Sequence, residues 1–390
     1  MSDLESLVTA LTKAARIAAG NVVGWRPGSV ARWANIEPSA VKLFADALHQ
    51  CPIVEKNDHK MITSDRFWFR FDIDVNAIYY VDRAIDFDPR LICKDIIRFF
   101  TEQKTTIVDI HTFGGAIPAD DIDVGDGLRV VPARLLPDIE AVRWIMAVGD
   151  SPTGAIVKRD VIGFTFENPP PPGEVPLKGM NVEHPDLQNK RNRILSSMAL
   201  VSGAAVRQAA NLSTAIDLGY PFMIGGGFGG SASTGLGYAA PLDKKKFLHI
   251  LKALEKHPKA EKIDLAFSKL MSASLKGDPD RVVDLGTCIE ILLMDEGGGN
   301  GEIKNKVSTR AAWLLGKDFE ARKIKFSIAA DLYDCRSKAV HTGKMMVSKL
   351  KGDGPFYAQQ AHYNLCRDLI EAIILRPSWP NWNDLVLGCE

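Results

Sequence analysis

The sequence predicts an α+β protein in which an N-terminal mixed region of helices and a small sheet is followed by a C-terminal all-helical bundle. In the middle of the chain, apolar residues alternate with polar ones at the two-residue period of strands. From Pro241 onward they recur at helical spacing instead. The length of 390 residues suggests about two or three domains, and 46% apolar with 25% charged residues is typical of a soluble globular protein.

Residues 1–60 are predicted to form an N-terminal helical segment. Apolar residues recur at helical spacing between positions 4 and 15, a break follows at residues 26–28, and a second helix is expected at residues 38–48. The N-terminus lacks the basic region and long apolar core of a secretion signal. No stretch reaches the roughly 18 apolar residues that a membrane span requires. We therefore expect a cytoplasmic protein with no membrane partner.

Residues 61–176 are predicted to form a β-rich sensing or regulatory domain. The stretch FWFRFDIDV, residues 67–75, alternates apolar and charged residues as a half-buried strand does. Further strands are expected in TTIVDIHTF, GLRVVPARLL and VIGFTFENP, with a helix at residues 90–102. Four consecutive prolines in NPPPPGEVP, residues 168–176, exclude a helix and indicate a linker, with a proline-rich recognition motif as the alternative.

Residues 177–241 are predicted to form a connecting helix, at 187–210, and a glycine-rich loop. The run MIGGGFGGSASTGLGY places Gly225 and Gly230 at the outer spacing of a phosphate-binding loop. Ser231 stands where such a loop requires lysine, and the run contains no lysine. A loop or hairpin is therefore favoured, and a nucleotide-dependent enzyme is the less favoured alternative.

Residues 242–390 are predicted to form the helical domain. Helices are expected at residues 243–256, 260–275, 279–294, 302–315, 319–341 and 355–375. Asp278-Pro279 has the pattern of a helix start, and Gly316 and Gly343 stand where C-terminal glycines belong. The boundaries therefore rest on capping residues as well as on periodicity.

Charge and cysteine content limit the classes of function. The chain has 48 basic and 48 acidic residues, so no global field attracts it to nucleic acid or membrane. Basic residues do outnumber acidic ones locally, between residues 317 and 351, which suits a polyanion site. The six cysteines lack zinc-finger spacing and are expected to be buried thiols. No metal site and no cofactor is predicted.

The stretch LYDCRSKAVHTGK, residues 332–344, contains the strongest candidate site. Arg336 and His341 lie five residues apart, which separates them by about 140° around a helix. Arginine can bind phosphate oxygens in a bidentate manner, and histidine can transfer protons near neutral pH. A histidine near a helix end is more often a capping or packing residue. The pair therefore indicates a functional site only together with the sequence around it.

That context resembles the HEPN domain family. The stretch LYDCRSKAVHTG resembles the arginine-x4-histidine motif, in the Y-x-x-R-S-x-x-V-H-G form of the Apea-like group. DPDRVVDLGTCIEILLM, residues 278–294, resembles the second helix of that group, with Glu290 in its acidic position, and EIKNKVSTRAAWLLG resembles the helix that follows. The resemblance covers roughly residues 242–375 and identifies residues 242–390 as an HEPN-like helical domain.

The resemblance implies a homodimer in which two motifs face each other, and a metal-independent endoribonuclease of defence or toxin-like systems. It implies that His341 transfers protons, Arg336 binds phosphate and Ser337 holds a phosphate oxygen or a water. Tyr333, Lys338 and Lys344 are expected to bind RNA, with tRNA as one candidate substrate. The products would be a 2′,3′-cyclic phosphate and a 5′-hydroxyl. Residues 1–240 would recognise a trigger ligand or protein.

Two departures from the family pattern leave a second interpretation open. Ser337 stands where active members commonly have Asn, Asp or His, and Thr342 and Lys344 replace the histidine-x-tyrosine extension of the antitoxin-paired branch. The alternative is a non-catalytic HEPN module that binds RNA or nucleotide or holds a dimer together.

Overall fold

The computed structural model describes residues 2–21, 36–64, 66–136, 152–170, 185–204, 206–217, 239–294, 302–352 and 356–388. The chain divides into two compact units. The first comprises the described residues within 1–114, 120–185 and 208–230, and the second those within 115–119, 186–207 and 231–390. The α+β class is confirmed, with sheets in the N-terminal region and a mostly helical C-terminal region. The break at 26–28, the glycine-rich run and residues 171–176 lie outside the described residues.

The helices of the first unit are α1 (Ser2–Asn21), α2 (Pro38–His49), α3 (Pro52–Glu55), α4 (Ile73–Asp86) and α5 (Pro89–Glu102). The expected helices α2 and α5 are confirmed. Asp88 caps α5 by accepting a hydrogen bond from the Arg90 N–H, and Pro89 occupies the first helical position. The buried faces of these helices share one apolar core, which includes Leu11, Phe44, Tyr80 and Ile96.

The prediction of one strand over residues 67–75 is wrong in its second half. The strands there are short, β1 (Met61–Thr63) and β2 (Trp68–Arg70), and α4 begins at Ile73. The Asp72 side chain caps α4 by accepting a hydrogen bond from the Val75 N–H at 3.0 Å. Asn76 accepts a hydrogen bond from the Asp72 N–H in return. Two capping bonds therefore override the alternating pattern, and Val75 is exposed.

Two antiparallel groups of strands complete the first unit. The remaining strands among the described residues are β3 (Lys104–Gly114), β4 (Ala116–Ile117), β5 (Ile122–Asp123), β6 (Leu128–Pro132), β7 (Gly154–Gly163), β8 (Thr165–Glu167), β9 (Arg207–Ala215) and β10 (Ala240–Pro241). A three-stranded sheet has the order β2-β1-β8, and a five-stranded sheet has the order β5-β6-β7-β3-β9. β3 and β7 pair in register from Lys104↔Gly163 to Phe113↔Gly154. The expected strand in residues 105–113 is confirmed. The one expected in residues 127–136 ends at Pro132, because Ala133–Leu135 forms a 3-10 turn. The one expected in residues 161–169 is the end of β7 followed by β8, and the first part of β7 was not expected.

The prediction of a helix through residue 210 is also wrong. Helix α6 (Pro185–Ser202) ends at Gly203, whose φ of +69° is in the left-handed region that favours glycine. β9 follows and lies beside β3, where the hydroxyl of Thr112 donates to the Ala210 carbonyl at 3.2 Å and the Ala210 N–H donates to that hydroxyl oxygen at 2.9 Å. Residues 207–210 are therefore a strand and not a helix because they pair with β3, about 100 residues earlier in the chain.

The second unit is built around the helices α7 (Lys244–Lys256), α8 (Ala260–Leu275), α9 (Asp280–Leu293), α10 (Ile303–Leu315), α11 (Phe319–Thr342), α12 (Tyr357–Ile374) and α13 (Trp382–Leu387). The six expected helices are confirmed to within two residues at each end, whereas α13 was not predicted. Their apolar faces bury a common core, which includes Phe267, Leu285, Leu332 and Leu369. Among the described helices, none is both long enough and apolar enough to cross a membrane.

Candidate functional site

Helix α11 carries all six residues of the predicted site except Lys344, which lies just beyond its end. Asp318 caps its N-terminus by accepting a hydrogen bond from the Ala321 N–H at 2.8 Å. Gly343 ends it with a φ of +65°, and the Gly343 N–H donates to the Ala339 carbonyl. These capping residues place His341 in the last turn and Arg336 one turn earlier.

Arg336 is anchored in the bundle by an acidic residue of α9. Its Nη2 donates to Oε2 of Glu290 at 3.0 Å, and both side chains are half-buried. The guanidinium carbon lies 5.9 Å from the centre of the Tyr333 ring, a distance at which the attraction between a cation and a ring is still felt. Nε of Arg336 is buried without a hydrogen-bond partner among the described residues. Glu290 therefore accepts only some of the hydrogen bonds that the Arg336 guanidinium can donate.

Burial sets the electrostatics of this pair. It raises the pKa of the Glu290 carboxyl above its ordinary value, and the neighbouring Arg336 guanidinium, which lowers that pKa, only partly offsets the effect. The ionised Glu290 is thus less stable than an ionised carboxylate that pairs with an arginine in water. An anion that offers more hydrogen-bond acceptors to Arg336, such as a phosphate, would compete with Glu290 for the guanidinium.

His341 and Ser337 are more accessible. The His341 side chain is exposed, and Ser337 is half-buried. In the part of the chain that the structure describes, no hydrogen bond or ion pair involves either side chain, and none joins Arg336 to His341. One chain therefore does not bring the predicted catalytic pair into contact, as the offset of about 140° around the helix predicts.

The basic residues around the motif differ in how they are neutralised. Lys338 and Lys344 are exposed and have no ion-pair partner among the residues described. Lys349, by contrast, contacts Asp334 at 3.3 Å, and Lys304 contacts the same carboxylate at 2.7 Å. Burial raises the pKa of the Asp334 carboxyl, whereas the hydrogen bonds from these two lysines lower it. Together the two lysines outweigh burial, so the pKa is below its ordinary value. In the described part of the chain, two unpaired positive charges, those of Lys338 and Lys344, thus lie within three residues of His341 along the sequence.

An apolar row runs along the exposed side of α11. Phe319, Phe326, Tyr333 and Val340 occur at every seventh position, which keeps them within about 60° of one another around the helix. Phe319, Phe326 and Val340 are 76%, 39% and 50% exposed. Arg336 and His341 lie on opposite sides of this apolar row, each about 70° from its centre. Exposed aromatic side chains in such an arrangement are typical of a contact surface.

A buried carboxylate holds the chain segment that follows the motif. Oδ2 of Asp331 accepts hydrogen bonds from the Ser348 hydroxyl at 2.6 Å and lies 3.0 Å from Nε2 of His362, while its Oδ1 accepts from the Lys349 N–H at 2.7 Å. Asp331 and His362 are both buried. Asp331 therefore ties residues 348–349 to α11 and α12.

This cluster predicts a loss of stability in mild acid. Burial lowers the pKa of the His362 imidazole below its ordinary value of 6.5, and Asp331 offsets only part of this shift. As the pH falls below about 6.5, the unfolded chain takes up a proton that the folded chain does not, so the free energy of unfolding decreases. We expect a shallower decrease for His362→Gln, which keeps a donor toward Asp331. Urea unfolding between pH 7.5 and pH 5 checks this, and equal slopes for both proteins would contradict it.

Gly286 in α9 makes room for Arg336. A Cβ at this position would lie 2.4 Å from Cγ and 2.8 Å from Cβ of Arg336. We expect Gly286→Ala to cost about 1–3 kcal/mol of unfolding free energy, because α9 and α11 must separate or Arg336 must leave its rotamer. Gly277→Ala is the matched control, because an added Cβ there meets nothing within 4 Å. Urea unfolding of both variants measures the difference, and equal stabilities would show that the helices adapt freely.

Comparison with known proteins adds nothing to this site. The chain matches no protein-family profile, no curated protein and no solved structure. The motifs and the geometry of α9 and α11 therefore carry the functional argument. Sequence reasoning noticed Glu290 as part of a motif but did not predict its contact with Arg336, and it missed Gly286 and Asp331. The sequence does contain a signal for each of these two residues, since Gly286 and Asp331 stand among apolar residues of predicted helices.

Proposed function

We propose that this protein is a metal-independent endoribonuclease in which two copies of α11 form a composite site. The observation that carries the proposal is the position of Arg336 and His341 on either side of the exposed apolar row of α11. A two-fold contact along that row would bring the motifs of two chains together, so that one composite site could contain Arg336 and His341 of both chains. The offset of about 140° within one helix is then no obstacle.

The residues suit cleavage by the RNA's own 2′-hydroxyl. One His341 accepts the proton of the 2′-hydroxyl, whose oxygen forms a bond to phosphorus, and the bond from phosphorus to the 5′-oxygen breaks. A second, protonated His341 gives its proton to the leaving 5′-oxygen. Arg336 binds the non-bridging oxygens, where negative charge grows, with the donors that Glu290 leaves free. Ser337 holds a phosphate oxygen, and Lys338, Lys344 and Tyr333 bind the flanking RNA.

The biological setting follows from the same proposal. An endoribonuclease of this class would act in the cytoplasm, in a defence or toxin-like role, with total RNA or tRNA as substrate. Residues 1–240 would then recognise the trigger that releases the activity. The resemblance of residues 332–343 to the HEPN motif supports this setting.

The test is cleavage of total RNA and of purified tRNA by the full chain in EDTA, with analysis of the product ends. We expect 2′,3′-cyclic phosphate and 5′-hydroxyl ends, and no cleavage of DNA, which has no 2′-hydroxyl. Cleavage of DNA, or loss of RNA cleavage in EDTA, would contradict the mechanism.

A second candidate is a non-catalytic module that binds RNA or holds a dimer together. It is favoured by the ion pair between Arg336 and Glu290, which a purely structural arginine would also form, and by the weaker polar residue Ser337 beside it. Tight RNA binding by a dimer that leaves the RNA intact would favour this candidate over the ribonuclease.

A further inference from the structure

A second cluster of reactive side chains lies in the first unit. Asp58, His59 and Asp72 each offer one ligand atom, and the three atoms lie within 4.8 Å of one another. Nδ1 of His59 is 3.3 Å from Oδ2 of Asp72, and Nε2 is 3.5 Å from Oδ2 of Asp58. The side chain of His59 is 57% exposed, against 14% for Asp58 and 26% for Asp72. Solvent can therefore reach the imidazole, while the carboxylates are largely enclosed.

The fold uses one oxygen of each carboxylate. Oδ1 of Asp58 accepts hydrogen bonds from the N–H groups of His59 and Ile73, both at 3.0 Å. Oδ1 of Asp72 accepts the capping hydrogen bond from Val75. Among the described residues, both Oδ2 atoms have the imidazole as their partner and no backbone donor. Backbone bonds of this kind orient the carboxylates of metal sites and leave the second oxygen for the metal.

We propose that Asp58, His59 and Asp72 bind a divalent first-row transition metal ion such as Zn²⁺. One imidazole nitrogen and two carboxylate oxygens are ligands that this ion accepts in a four-coordinate site, with water in the remaining position. Bonds of about 2.0–2.2 Å place tetrahedral ligand atoms about 3.4 Å apart, close to the 3.3 Å between Nδ1 and Oδ2 of Asp72. Oδ2 of Asp58 faces the other ring nitrogen, Nε2, at 3.5 Å, so one of the three side chains must change its rotamer for all of them to bind the same ion.

Charge also favours a cation here. A neutral imidazole with two carboxylates carries two negative charges, which one divalent ion neutralises. Without metal, the exposed imidazole lies between the two carboxylates, where its contacts contribute little to stability.

The test is a calorimetric titration of the metal-free full chain with Zn²⁺. His59→Gly removes the imidazole at a position whose φ is +60°, a conformation that glycine adopts without strain, so the variant is expected to remain folded. We expect it to lose one Zn²⁺ equivalent, with at least about 100-fold weaker binding at this site. The matched control is His49→Ala, since His49 is another exposed histidine beside a carboxylate, 3.4 Å from Asp74. It should keep the full stoichiometry.

Equal Zn²⁺ binding by wild type and His59→Gly would overturn the proposal, and so would an equal loss in His49→Ala. If circular dichroism shows that His59→Gly is unfolded, Asp58→Asn replaces it, because the amide oxygen still accepts the two backbone bonds while one anionic ligand is lost. Binding unchanged in Asp58→Asn would then overturn the proposal. The readout is metal binding, so it is independent of whether the chain cleaves RNA.

Discussion

Replacing His341 by alanine is expected to lower the rate of RNA cleavage about 10²- to 10⁴-fold, the usual cost of losing a proton-transfer residue. The free energy of unfolding should change by less than about 0.5 kcal/mol. The imidazole is exposed and forms no hydrogen bond within the described part of the chain, so its removal leaves no buried group unpaired. Single-turnover cleavage in EDTA measures the rate, and urea unfolding measures the stability.

The control for this prediction is His249→Ala. His249 is also an exposed histidine of the second unit, on α7, but it has no place in the proposed mechanism. Its replacement should leave the rate unchanged. A rate loss of similar size in both variants would assign the effect to general damage, and an unchanged rate for His341→Ala would remove His341 from the mechanism.

The bundle helices could be predicted because their limits are local. Asp318 and Gly343 cap α11 through contacts with residues only three or four positions away, and such contacts are visible as residue types in the sequence. Gly316 likewise follows the last residue of α10. The spacing of apolar residues then fixed which side of each helix is buried.

The two failures arose where another interaction, local in one case and distant in the other, competes with the apolar pattern of the stretch. The alternation through residues 67–75 is a genuine strand signal, but Asp72 and Asn76 form the capping pair that starts α4. Residues 207–210 have no strong strand pattern and become β9 because the edge of β3 is free to pair with them. The strand partner of residues 207–210 cannot be identified from that stretch alone.

The candidate sites divide in the same way. The spacing of Arg336 and His341 is visible in the sequence, whereas the 3.0 Å contact between Arg336 and Glu290 joins two helices. The cluster of Asp58, His59 and Asp72 could also be found only from the fold. Asp72 lies 13 residues after His59, and the turn around β1 and β2 brings the two side chains together. No regular ligand spacing marks such a site in the sequence.

Replacing Phe326 by glutamate is expected to convert the proposed dimer into monomers and to abolish most RNA cleavage at low protein concentration. A two-fold contact along the apolar row of α11 places each Phe326 near the same surface of the second chain. The variant would bury one new carboxylate from each chain there, at a cost of several kcal/mol. We expect the dissociation constant of the dimer to rise at least about 100-fold.

Ile324→Glu is the matched control for this change. Ile324 is an exposed apolar residue of the same helix, 57% accessible, but it lies about 200° around the axis from Phe326. Sedimentation velocity should give a dimer for wild type and Ile324→Glu and a monomer for Phe326→Glu. Because the proposed site is composite, we expect activity per chain in Phe326→Glu to recover as the concentration approaches the new dissociation constant. A dimeric Phe326→Glu, or a monomer with full activity, would show that α11 does not form the composite site.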